Sequence, residues 1–152
     1  MKKKRIFPPT SFRVFLRTKP PVNAEIRNQT IRNLNILKNC NEAEMTDRIR
    51  SLNSEWDTER ILEVNAAALI LLSSYLGIRT SRCWFLLTGT IGVFLLLHAL
   101  QGWCPPLPII RKWGIRTEDE INSEKIVLKL LRGDFKSEGT TVVDLLNAVE
   151  KQ

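Results

Sequence analysis

Residues 61–103 read ILEVNAAALILLSSYLGIRTSRCWFLLTGTIGVFLLLHALQGW, and this stretch decides the fold. It contains two apolar runs, Ile61 to Ile78 and Trp84 to Trp103, of 18 and 20 residues. As helices rising about 1.5 Å per residue they reach roughly 27 and 30 Å, enough to cross a hydrocarbon core. Neither run contains Lys, Arg or Asp, and Arg79, Thr80, Ser81 and Arg82 between them carry two charges and no apolar side chain. The pattern predicts an all-α fold, an integral membrane helical hairpin with a tight polar turn and flanking amphipathic cytoplasmic helices. The alternative, two buried helices of a soluble bundle, needs chain covering every face, and the flanks are short and polar.

Working outward, the charge distribution is uneven. Of 23 Lys and Arg against 16 Asp and Glu, 21 lie outside residues 61–103, and the net charge is +7. Such a balance fits nucleic acid or an anionic membrane surface. Seven Lys and Arg precede the first acid, Glu25, but Pro8, Pro9, Pro20 and Pro21 interleave with them and no nucleic-acid-binding motif is present, so the membrane surface is the favoured partner. Near the spans, Arg48, Arg50, Arg60, Arg111, Lys112 and Arg116 flank the outer ends, against Arg79 and Arg82 in the turn. Six against two predicts a multi-pass protein with both termini cytoplasmic. Trp84 at one boundary and Trp103, Trp56 and Trp113 at the other suit interfacial anchoring. No cleavable signal peptide is expected, since Arg13, Arg17 and prolines break the patch Phe12, Val14, Phe15 and Leu16.

Outside the hairpin, residues 1–42 are expected to form a basic disordered arm. Residues 43–60 predict an amphipathic juxtamembrane helix, with Met45, Ile49, Leu52 and Trp56 on one face. Residues 104–152 predict a cytoplasmic turn, where Pro105, Pro106 and Pro108 end the helix, followed by short helices. The first of these starts at the Thr117-x-x-Glu120 capping box and turns Val127, Leu130 and Leu131 to one side before Gly133. Arg132, Gly133 and Asp134 spell a cell-adhesion tripeptide but read as a helix terminus.

Three groups of residues carry candidate roles. Asn65 and His98 sit at similar depth in an antiparallel hairpin, near Glu63 and Gln101, and predict an intramembrane polar clamp rather than a proton relay. Thr88, Gly89 and Gly92 permit close helix packing, within the hairpin or between copies. Gly102, Trp103, Cys104 and Pro105 form an interface turn bearing a thiol. Cys40, Cys83 and Cys104 are too few and too far apart for a disulfide framework or metal site, so no cofactor, metal or catalytic residue is assigned.

The stretch Gly102 to Ile110, with its Cys104-Pro105 pair, followed by Gly114-Ile115-Arg116-Thr117, resembles the YgaP-like two-helix inner-membrane domain, as do Glu59-Arg60 before the first span and Thr88-Gly89 in the second. The resemblance covers residues 55–120. It implies a bacterial inner-membrane hairpin, dimerisation through the spans and a link to sulfur metabolism, because some relatives are fused to a rhodanese domain. Residues 1–55 and 118–152 contain no β-α-β alternation of that kind. The expectation is therefore a small non-catalytic membrane module that self-associates or binds a cytoplasmic partner, including a rhodanese-type one. The alternative is a subunit of a transport or sulfur-handling system using Cys104.

Overall fold

The computed structural model describes residues 7–135 and 142–150. After a short 3-10 turn at Thr10–Phe12 come α1 (Arg13–Arg17), α2 (Pro20–Leu37), α3 (Glu42–Ser54), α4 (Thr58–Arg79), α5 (Trp84–Gln101), α6 (Leu107–Lys112), α7 (Glu118–Arg132) and α8 (Val142–Glu150). No strand occurs among the described residues. The chain divides into two compact units: residues up to Asn23 with Trp56–Thr117, and Ala24–Glu55 with residues from Glu118 onward.

The first unit is built on the α4–α5 hairpin. Asp57 caps α4, its carboxylate accepting from the Arg60 amide at 2.9 Å, which satisfies a donor the first helical turn leaves free. Thr58 ties that end down: its amide and its hydroxyl donate to the Arg116 carbonyl at 2.8 and 2.9 Å. Across the hairpin the Ser73 and Thr88 hydroxyls share a hydrogen bond at 2.7 Å. Near the turn, Gly77 lies under the Phe85 ring so closely that a Cβ there would stand 2.9 Å from it. Away from this contact the helices are uncovered: Leu71, Ile78 and Leu86 are 72%, 78% and 74% exposed. In a soluble bundle those faces would be buried; here they form the continuous apolar surface expected of lipid-facing helices.

At the base of the hairpin a small core gathers Val14, Leu62, Cys104, Leu107 and Ile110. Gly102 ends α5 in the left-handed region, φ 73°, donating its amide to the His98 carbonyl at 2.8 Å. The Arg13 backbone presses against it, so that a Cβ at Gly102 would stand 2.5 Å from the Arg13 carbonyl. Arg111 is 1% exposed and holds the segment beside it, donating to the Thr18 hydroxyl at 3.2 Å, the Asn23 side-chain oxygen at 2.9 Å and the Ile115 carbonyl at 2.9 Å.

Residues 1–42 are thus not a disordered arm where they are described. Val14 supplies a buried apolar anchor, Arg111 supplies the polar partners, and Pro20 and Pro21 sit in the first turn of α2, where a missing amide costs nothing. Residues 1–6 lie outside the described segments. Arg111 and Arg116, counted among the charges that flank the spans, are both buried in protein.

In the second unit, Ile49 and Leu52 of α3 pack on Ile121 and Leu128 of α7, with Leu34 and Leu37 of α2 alongside. Asn41 caps α3 by accepting from the Glu44 amide at 2.8 Å. The face of Met45, Ile49 and Leu52 is buried, but Trp56 is not part of it: α3 stops at Ser54 and Trp56 is 48% exposed. On α7 the buried face is Ile121, Glu124 and Leu128, whereas Val127, Leu130 and Leu131 are exposed. Glu124 can be buried because Arg48 pairs with it at 3.0 Å, an ion pair that sequence periodicity does not reveal. Arg132 and Asp134, from the adhesion-like tripeptide, pair bidentately at 2.7 and 2.5 Å around the left-handed Gly133, which fixes them as a helix-end clasp.

The joint at Gly102 makes a sharp expectation. Gly102→Ala adds a side chain at positive φ, worth about 1–2 kcal/mol of strain, and drives it into the Arg13 backbone. In lipid-reconstituted protein, trypsin cleavage after Arg17 should accelerate roughly ten-fold or more. Unchanged cleavage would show that α1 is not seated on this glycine.

Candidate functional site

A cavity of about 550 Å³ opens at the base of the hairpin, between the first half of α4, the second half of α5 and the segment from Cys104 to Trp113. Its wall is mainly apolar, and its polar groups collect at one end: Arg13, Glu59, Glu63, Asn65 and His98. The helical period brings the α4 groups together, since Glu59, Glu63 and Ala66 recur at intervals of four and three on one side. Arg13 reaches the same end because α1 is seated on Gly102. Its guanidinium pairs with Glu59 at 2.7 Å and donates to the Ala99 carbonyl at 3.4 Å.

Asn65 and His98 both line this cavity, yet the clamp expected between them does not form. The Asn65 amide donates to the Ile61 carbonyl of its own helix at 2.8 Å, the usual retreat of a short polar side chain inside a helix. Both His98 ring nitrogens are buried without a protein partner, and so is Arg13 Nε. An unsatisfied buried donor or acceptor costs about 1–3 kcal/mol, so three such atoms at one cavity mark the place where the protein's own hydrogen bonding is incomplete.

The interface-turn residues separate. Trp103 is 40% exposed and meets Phe94 edge to face at a ring separation of 6.5 Å. Pro105 lines the cavity and Gly102 is the cap of α5. Cys104 is buried among Val14, Leu62 and Leu107, and this burial pushes its thiol pKa up, partly opposed by a hydrogen bond with the Leu107 backbone. A thiol so placed is a poor nucleophile, because the attacking species is the thiolate. Among the described residues no group of three or more His, Cys, Asp or Glu is placed to hold a metal ion.

The packing residues divide too. Thr88 faces α4 through Ser73, whereas Gly89 and Gly92 point into open space, with no atom near where a Cβ would be. The sequence assigns no site role to Arg13, Thr58 or Arg111. Nothing in local periodicity singles them out, although Ser73 and Thr88 could have been paired by folding the hairpin about its four-residue turn.

Residues 57–120 match the family described as inner membrane protein YgaP-like, transmembrane domain, the family that the sequence resembles. The match begins at the cap of α4 and runs through the hairpin, the cavity and the clasp at Arg116. No curated protein and no solved structure gives a significant match.

Burial of Cys104 has a direct chemical consequence. Raising a thiol's pKa lowers its thiolate fraction at neutral pH, so alkylation should set in only as the solution becomes more alkaline. With N-ethylmaleimide, Cys83, which is exposed in the turn, should react roughly ten-fold or more faster than Cys104. Equal rates in single-cysteine variants would place the Cys104 thiol outside the core.

Proposed function

We propose that the chain is a non-catalytic, two-span inner-membrane module that self-associates through the outer face of α5, with both termini in the cytoplasm. One observation carries the association. Leu86, Gly89, Val93, Leu96 and Leu100 follow one another at intervals of three and four residues, and every one of them is exposed. That alternation is the 3.5-residue period of a left-handed helix seam. Gly89 lies within the seam with open space where a Cβ would stand, so a second α5 can approach to close van der Waals contact there.

Membrane association rests on the family match and on the two uncovered apolar helices. The orientation rests on the excess of Lys and Arg outside the spans over the pair in the turn. A cytoplasmic partner, including a rhodanese-type protein, would meet the module on that side. The buried thiol of Cys104 argues against the chain itself handling sulfur.

Two measurements test this reading. In a bilayer energy-transfer assay, Gly89→Ile should weaken self-association roughly five-fold or more, the scale of about 1 kcal/mol of interhelical packing, while Leu72→Ala on α4 leaves it unchanged. Concentration-independent monomers of the parent protein would end the association reading. For orientation, a membrane-impermeant maleimide should label exposed Cys83 from outside the cell, and a Lys112→Cys variant only in inverted vesicles. Labelling of both from one side would refute the hairpin topology.

A further inference from the structure

We propose that the cavity at the base of the hairpin is a binding site for one zwitterionic membrane phospholipid, with an acyl chain against the apolar wall and phosphate or ester oxygens accepting hydrogen bonds from Arg13 and His98. The first ground is the set of unsatisfied atoms. Arg13 Nε and both His98 nitrogens are buried with no partner, and His98 is 8% exposed. Arg13 Nε can only donate, and a neutral imidazole donates from one nitrogen, so the missing partner must bring acceptor oxygens. Neither residue can turn away easily: Arg13 is held by Glu59 and by the seating of its backbone on Gly102, and His98 sits one turn before that glycine.

The second ground is the shape and lining of the space. At about 550 Å³ it has the size of a small-molecule site, and its wall includes Leu69, Ile91, Leu95 and Ile109. A wall of this kind is poorly satisfied by water, which needs several polar partners for each molecule, and well satisfied by hydrocarbon. The polar atoms lie at the helix ends nearest the chain's exit from the spans, the level at which a lipid's glycerol and phosphate groups meet its chains.

The third ground is charge. Glu59 and Glu63 line the cavity beside a single guanidinium, already paired with Glu59. A fatty acid would add a third carboxylate to that end. A phosphatidylethanolamine instead offers phosphate oxygens to Arg13 and His98 and an ammonium group to Glu63, and so adds no net charge to that end.

The test uses the full chain purified in detergent, stripped of lipid, and titrated with phosphatidylethanolamine or palmitate under native mass spectrometry. The parent protein should retain one phosphatidylethanolamine per chain in preference to palmitate. His98→Leu, which removes the ring nitrogens at similar volume, should lower that occupancy about five-fold, as expected for one lost hydrogen bond. Ala66→Phe should lower it by filling the cavity, and Leu72→Ala, outside the lining, should not change it. Helical circular dichroism of each variant reports its folding independently. Equal occupancy in the parent and both cavity variants, equal retention of palmitate, or detergent alone in the parent protein would overturn the proposal.

Discussion

The first unit depends on one constraint: above the small core at their base, α4 and α5 touch each other along one side and leave the rest of their apolar surface without protein cover. In water such a pair would collapse or aggregate, because large contiguous apolar surface is what folding removes. In hydrocarbon the same surface costs nothing, and the backbone, satisfied entirely within each helix, strands no polar groups there. The hydrophobic effect then cannot hold the two helices together. Close contact does, through Gly77 beneath Phe85 and the Ser73–Thr88 hydroxyl pair, which is why small and hydroxyl residues sit where the helices meet.

Where the chain leaves the spans, the physics changes from packing to anchoring. Thr58 at the start of α4 donates twice to the Arg116 carbonyl, and Arg111 gathers Thr18, Asn23 and Ile115 around one guanidinium. Together these contacts turn a proline-rich exit and an N-terminal segment into a collar around the hairpin base. Gly102 is the point on which the collar closes, because only a residue without a side chain permits both the left-handed turn and the approach of the Arg13 backbone.

The second unit follows ordinary soluble rules. Its apolar side chains converge from α2, α3 and α7, and its charges pair, Arg48 with Glu124 and Arg132 with Asp134. Glu124 is fully buried, so losing Arg48 would leave a carboxylate stranded, and the pair constrains how α3 and α7 can face each other. The two units thus solve the same problem, the removal of apolar surface from water, with different solvents at hand.

Length, hydropathy and local caps act over a few residues, so the sequence alone carried the hairpin, its four-residue turn, the helix that ends at Gly133 and a likeness over residues 55–120 to a membrane-domain family. It misjudged the described part of residues 1–42, since composition reports how little apolar surface an arm owns and not that Val14 and Ile26 find buried places. It paired Asn65 with His98 because depth in a hairpin is readable, whereas the choice between a cross-helix bond and the Ile61 carbonyl is decided by side-chain reach. Tertiary structure alone placed Arg111 in the core, turned Gly89 outward while Thr88 turned inward, buried the Cys104 thiol and left Arg13 and His98 facing a cavity. Those outcomes depend on which distant segments come within hydrogen-bonding distance, and no local pattern in a sequence carries that information.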